Sequence, residues 1–216
     1  MKLLLLLLFT WNLFAVTLHL STSSNPSRLN PILATDAGSS EISGFIFNAL
    51  VKYDKEGKKI IGDLASSYYF ENNTTLVFHL RRDVRWHDGA PFSAKDVLFT
   101  YNLINSSQVV SPYTSTFREV KSVEILNPYK IRVTYKNPYF KALETWMMGI
   151  LPEHILKDET NIMNSSFNIQ PIGTGPYRLT TLEFSKNIEL RAFDAYFEHR
   201  PHIDSISFHV IADPMT

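Results

Sequence analysis

The sequence has no cysteine, which excludes disulfides, thiolate metal sites, a cysteine nucleophile and a lipid-bearing cysteine behind an export leader. Neither charge is in excess: 21 Lys and Arg face 21 Asp and Glu, without a long block of one sign, so the footprint of a nucleic-acid or anionic-membrane binder is missing. Internal repeats, heptads and low-complexity tracts are also absent. What is there, 44% apolar and 19% charged residues over 216 positions, is the composition of a globular protein with one domain or two small ones.

The N-terminus is the exception in hydropathy. Met1 and Lys2 precede the apolar run "LLLLLLFTWNLFAV", Leu3 to Val16, broken only by Thr10 and Asn12. A membrane span needs about 20 such residues. This run is shorter and leads directly into the alternating "VTLHLS" of a strand, so residues 1–15 read as a removable signal peptide. Cleavage is expected after Ala15, although Leu13 is large for its place two residues earlier.

Periodicity then predicts mixed α and β without regular βαβ units. Val16, Leu18 and Leu20 share one face of a buried-edge strand, stopped by "STSSNPS". Helical spacing over residues 40–52 joins Ile42, Phe45, Ile46, Ala49 and Leu50, with Asp36, Ser39 and Ser40 as candidate N-caps. A meander of strands follows, including "LVFHL" with Leu76, Phe78 and Leu80 on one face, and later two alternating runs joined at Asn127 and Pro128. "PYFKALETWMMGILPEHILKD" predicts two short helices split near Gly149 and Pro152, and the last segment three strands, around Tyr177–Leu182, Ile188–Ala192 and Ser205–Ala212.

"VRWHDGAPFSAKDVLFTYNLI", Val84 to Ile104, concentrates the residues that chemistry uses. His87 beside Asp88 suggests an acid and a base, yet neighbours on a turn point apart and no GxSxG nucleophile context accompanies them. The local grammar is architectural: Asp88-Gly89 is a turn pair, Ser93 and Asp96 form a capping box, and Phe92 and Val97 a hydrophobic staple. The helix that follows stripes Val97, Leu98, Tyr101 and Ile104.

Other constellations are weaker. His199, His202 and Asp204 in "HRPHID" flank Pro201 and have no fourth partner nearby for the converging set that zinc requires, so a solvated turn is the better reading and no metal is expected. "GTGPY" has two glycines but neither GxxxxGKS/T nor GxGxxG, and reads as a tight turn. "ENNTT" carries overlapping glycosylation acceptors, with Asn73 the better placed, and Asn105 and Asn164 also begin Asn-x-Ser triplets.

Taken in order, "SRLNP", "FIFNALVKYD", "LASSYYF", "LVFHLRRDVRWHDGAPFSAKDVLFTYNLI", "ILPEHIL", "PIGTGPYRL" and "DAYFEHRPHIDSISFHVIAD" resemble the extracellular solute-binding proteins of the oligopeptide, dipeptide and nickel class that serve ABC importers. The resemblance implies a mixed α+β fold of the periplasmic binding protein type, class II, in which a first lobe carries a large inserted subdomain. It divides the chain into residues 16–44 and 171–216 for lobe I and residues 45–170 for the insert. Members of the family are much longer, so the chain is expected to be an N-terminal portion without the second lobe; a non-transporting remnant is the alternative.

The implied function is capture of peptides in the periplasm and delivery to membrane permease subunits, by an exported, soluble, monomeric protein that is not an enzyme and needs no cofactor. A nickel chelate or other small solute is the alternative ligand. By motif, the resemblance places Thr35, Asp36 and Ser39 on a ligand-facing loop, and Tyr113 in "SPYTS" with Trp146 and Met147 in "TWMM" along the pocket. In peptide-binding members the acidic residue that meets the peptide's amino group lies in the second lobe and has no counterpart here.

Overall fold

A computed structural model describes residues 15–211. The leader at residues 1–15, except Ala15, and Ala212, the last residue expected of the final strand, lie outside that range. In chain order the elements are β1 (Thr17–Thr22), α1 (Ala37–Ile46), β2 (Val51–Tyr53), β3 (Ile60–Gly62), β4 (Ala65–Asn72), β5 (Thr75–Leu80), α2 (Ala94–Ile104), β6 (Val120–Asn127), β7 (Lys130–Tyr135), α3 (Glu153–Leu156), β8 (Tyr177–Glu183), β9 (Asn187–Ala192) and β10 (Ser205–Val210).

Two four-stranded sheets and a two-stranded ribbon result. One sheet has the order β1-β10-β9-β8, joining the first strand to the last three, with β1 parallel to β10 in the register Thr17↔Ser205 to Thr22↔Val210. The other is antiparallel in the order β4-β5-β7-β6, entirely from the middle of the chain. β2 and β3 form the ribbon. Leu76 and Phe78 of β5 are fully buried against Ile131 and Val133 of β7, so the alternation in "LVFHL" places its apolar face in the core.

The stretch from Val84 to Ile104 folds as its local grammar predicts. Gly89 has φ +90°, a conformation that side chains rarely adopt. The Asp96 carboxylate accepts from Ser93 N at 2.8 Å, Ser93 Oγ accepts from Lys95 N at 3.3 Å, and Phe92 and Val97 are both buried. The buried stripe of α2 differs in detail: Thr100 and Leu103 complete it with Val97 and Ile104, while Leu98 and Tyr101 are half-buried.

Three expectations are corrected. α1 begins at Ala37 with Asp36 as N-cap and ends at Ile46, so Ala49 and Leu50 are not helical. Phe47 turns to extended geometry, and the freed backbone bonds elsewhere: Leu50 N donates to Trp146 O at 3.1 Å and Ile150 N to Asn48 O at 3.0 Å. Tertiary hydrogen bonds outcompete another helical turn there. β1 is an edge strand among the described residues, but Val16 and Leu18 are exposed and only Leu20 is half-buried on that face. The first of the two short helices near Gly149 is a single 3-10 turn, Glu144–Trp146.

The turn "GTGPY" is where the return segment meets the end of α1. Gly175 N donates to Ile46 O at 2.7 Å. A Cβ on Gly173 would stand 1.9 Å from that same oxygen, and one on Gly175 2.5 Å from the Ile46 carbonyl carbon, so both glycines are required by close backbone approach. His87 completes the joint: its backbone N–H donates to Gly173 O at 2.9 Å, its Nδ1 accepts from Gly173 N at 3.2 Å, and its Nε2 lies 3.0 Å from Gly175 O. Those partners select the neutral ring protonated on Nε2.

Gly173→Ala and Gly175→Ala are therefore each expected to destabilise by about 2–4 kcal/mol in denaturant melts, as overpacking against backbone cannot be relieved by a rotamer change. Gly44→Ala, in α1 with nothing within 4 Å of the added Cβ, should instead gain about 0.5–1 kcal/mol.

Burial pushes the His87 imidazole down to about 4, with the Gly175 carbonyl pulling weakly the other way. Between pH 6.5 and that value the unfolded chain binds a proton that the folded chain does not. Stability should thus fall as pH falls through this window, by on the order of 3 kcal/mol from this group. In His87→Gln the pH dependence of the melting temperature should flatten between pH 6.5 and 4; an unchanged slope would contradict the buried neutral imidazole.

Candidate functional site

A cleft with mixed apolar and polar walls begins at α1. Asp36 caps the helix by accepting from Ser39 N at 2.7 Å, and its other oxygen accepts from Ser39 Oγ and Ser27 Oγ, both at 2.6 Å. Ser39 Oγ in turn accepts from Ser27 N at 2.9 Å. Partial burial works against ionisation of Asp36, but the serine donors outweigh it and hold the carboxyl below its usual value. Asp36 and Ser39 are thus turned inward, binding the "SRLNP" loop to the helix start. Thr35 is exposed beside them.

The outer face of α1 presents Ser40, Ser43 and Gly44 to a cleft of about 600 Å³. Its opposite walls come from residues 113–117 and 139–149, with Tyr113 and Met147 both lining it. Tyr113 is placed by a 3-10 turn, Pro112–Ser115, whose Ser111 Oγ donates to Ile32 O at 2.7 Å and accepts from Tyr113 N at 3.2 Å. That pair of bonds ties the "SPYTS" segment to the "LNPIL" segment.

Trp146 lies behind the wall. It is 2% exposed, its Nε1 donates to Tyr135 Oη at 3.0 Å, and its ring packs on Phe117 and Phe78 with centroids 5.3 and 6.0 Å away. Of the residues singled out by motif, then, Tyr113 and Met147 meet in the cleft; Thr35, Asp36 and Ser39 do not line it, although their neighbours Ala34 and Ser40 do, and Trp146 supports it from the core. Sequence reasoning missed Phe47, Tyr139, Lys141, Glu144 and Met148, which also line it. The "TWMM" neighbourhood signals Met148, but nothing local marks the others.

Chemically the cleft is amphipathic: aromatic and thioether surface, several hydroxyls, and Lys141 and Glu144 as its charged groups. Glu144 already accepts from Tyr53 Oη at 3.0 Å. Such a lining suits uptake of a molecule with apolar and polar parts.

The remaining candidates lie elsewhere. His87 faces the Gly173–Gly175 turn while Asp88 accepts from His154 Nε2 at 2.8 Å, so the two adjacent side chains do diverge. His199 and His202 are exposed, and among the described residues no three His, Asp or Glu side chains converge on a metal position. Asn73 sits at the tip of the β4–β5 hairpin. Asn105 ends α2, its Nδ2 donating to Tyr101 O at 2.8 Å.

Comparison with known proteins places this architecture. The family model described as bacterial extracellular solute-binding proteins, family 5 Middle, matches residues 59–216. The chain is similar to the oligopeptide-binding protein AppA of Bacillus subtilis, 31% identical over 195 residues that cover 87% of this chain and 36% of that protein. Among solved structures it is similar to NikZ from Campylobacter jejuni in complex with Ni(L-His), with TM-score 0.82, 31% identity, and coverage of 93% of this chain and 40% of that one. It is also similar to Bacillus subtilis AppA in complex with a nonapeptide, with TM-score 0.84, 29% identity, and coverage of 90% and 40%. The chain spans little more than a third of the length of the curated relatives it matches. Its mixed α/β fold is that of the periplasmic binding proteins, and the chain belongs to family 5 of the bacterial extracellular solute-binding proteins.

Proposed function

We propose that this chain forms the first lobe of an exported, non-enzymatic receptor that takes up peptides and hands them to the transmembrane subunits of an ABC importer. The observation that carries the reading is the open cleft between α1 and residues 139–149, amphipathic and uncovered on one side, in a chain of this family. Residues 16–44 and 171–216 make lobe I and residues 45–170 its inserted subdomain; the sheet that joins β1 to β10 supports this division. The protein acts in the periplasm as a monomer.

Within this reading Tyr113 and Met147 touch the ligand, Tyr113 stacking or bonding through its hydroxyl and Met147 filling irregular apolar space. Asp36 and Ser39 fix the start of α1, whose Ser40 and Ser43 face the cleft, Thr35 stands exposed beside them, and Trp146 keeps the wall in place from behind. Peptide is favoured because the lining offers mixed apolar and polar surface without a histidine or acidic cluster to hold an ion or its chelate. One lobe supplies only one side of a closing site, so affinity for this chain alone is expected to be in the millimolar range.

Amide NMR shifts register binding that weak. Titrating the chain with di- to nonapeptides should move the resonances of Ser43, Gly44, Tyr113 and Met147 together, and Tyr113→Ala should reduce the affinity at least threefold while leaving the melting temperature within about 2 °C. Shifts produced by nickel–histidine and not by peptides would move the assignment to a chelate binder. If neither perturbs the cleft, uptake by this lobe is wrong.

A further inference from the structure

Val16, next to the first described residue, sits inside a clamp. Its nitrogen lies 2.8 Å from Asp204 Oδ2, and its carbonyl oxygen accepts from the backbone N–H groups of Asp204 at 2.9 Å and Ser205 at 3.2 Å. Both backbone polar groups of one residue are thus held by the segment that enters β10, and β1 pairs with β10 from the next residue onward. The other oxygen of Asp204 accepts from Arg200, whose Nε donates to Asp194 at 2.7 Å. Arg191 and Glu189 line the same hollow, which reaches Ala15. The carboxylate is therefore oriented by one cation and presents its free oxygen to the Val16 nitrogen.

We infer that removal of the leader between Ala15 and Val16 creates the group this clamp is built to take, the α-ammonium of Val16, so that processing pins the first strand of the sheet in register. The inference rests on the export reading above. In the cleavage, water supplies hydroxyl to the Ala15 carbonyl carbon as the C–N bond breaks. Met1–Ala15 departs as a carboxylate, the Val16 nitrogen keeps the electron pair and is protonated to the ammonium, and a leader peptidase of the exporting cell provides the catalysis. One uncharged N–H donor becomes three donors bearing a full positive charge, at a separation typical of charge-assisted bonds. Arg200 and Arg191 oppose that charge and Glu189 and Asp194 favour it, so the one carboxylate in direct contact decides the balance.

The test uses the full chain with its own leader, expressed in an exporting bacterium. N-terminal sequencing of the recovered protein should begin at Val16. Competitive acylation across pH should then give that amine an apparent pKa above the about 7.7–8.0 of a free α-amino group, falling back into that range in Asp204→Asn. At pH 8 the Asp204→Asn amine should acylate several-fold faster. Should that variant not accumulate, Arg200→Gln reads the same contact with the opposite sign, since an Asp204 relieved of its competing cation should slow acylation relative to the parent. A first residue other than Val16, acylation profiles equal in parent and Asp204→Asn, or unchanged or faster acylation in Arg200→Gln overturns the inference. Export with cleavage elsewhere defeats this inference alone; no export at all defeats the export reading with it.

Discussion

The fold depends on one backbone joint, the approach of the Gly173–Gly175 turn to the carbonyl of Ile46. Where α1 ends, its last carbonyls need donors, and the turn supplies Gly175 N at 2.7 Å only because neither glycine carries a Cβ. Beside it Asn48, 8% exposed, donates to both oxygens of Asp63 at 3.1 and 3.0 Å and accepts from Thr174 Oγ1 at 3.3 Å. Burial raises the Asp63 carboxyl above its usual value, against the pull of Lys52 and of the Asn48 and Ala49 donors. A buried carboxylate left without those partners is costly, so this network admits few alternative arrangements of the three segments it joins. The connection from α1 to β2, the turn between β3 and β4, and the return segment into β8 are held together by that satisfaction requirement.

The cleft follows from the same joint. Because the chain leaves α1 at Phe47 to bond with Trp146 and Ile150, the helix face carrying Ser40, Ser43 and Gly44 is set opposite residues 139–149. Trp146 then makes the far wall firm: its indole donates to Tyr135 Oη, which donates onward to Ala142 O, and Phe78 and Phe117 pack on its faces. Met147, the next residue, is carried to the cleft by the same 3-10 turn. Core and binding wall are consecutive residues, which is why a tryptophan with no access to the cleft still determines its shape.

Much of this was legible from sequence wherever local chemistry decides the outcome. The capping box of Ser93 and Asp96, the Asp88-Gly89 turn, the three final strands and the divergence of His87 from Asp88 all follow from neighbours a few positions apart. The end of α1 did not, since Ala49 and Leu50 keep helical spacing and lose to hydrogen bonds with Asp63, Leu64 and Trp146, residues far outside a helical turn. Likewise Asp36 and Ser39 carry the right groups for a ligand, but Ser27 provides a nearer use for them. Lys141 and Glu144 had no local signature, because a single charged residue in an irregular segment looks the same facing solvent or a cleft.

This division explains why the family is easier to read than the ligand. The stretches that carry the resemblance, among them "VRWHDGAPFSAKDV" and "PIGTGPYRL", are those that build the joint: Trp86 is wholly buried, His87 grips the turn, Asp96 caps α2 and accepts from Glu153 N at 2.9 Å, and the two glycines touch Ile46. Each of these positions tolerates few residue types for backbone reasons that are independent of any solute. The cleft side chains hang instead from 3-10 turns and loops, where Tyr113, Tyr139, Lys141 and Met147 are constrained by little beyond the space they face. A scaffold specified by close backbone contacts, with its lining on irregular segments, leaves the identity of the ligand to side chains that the fold itself does not dictate.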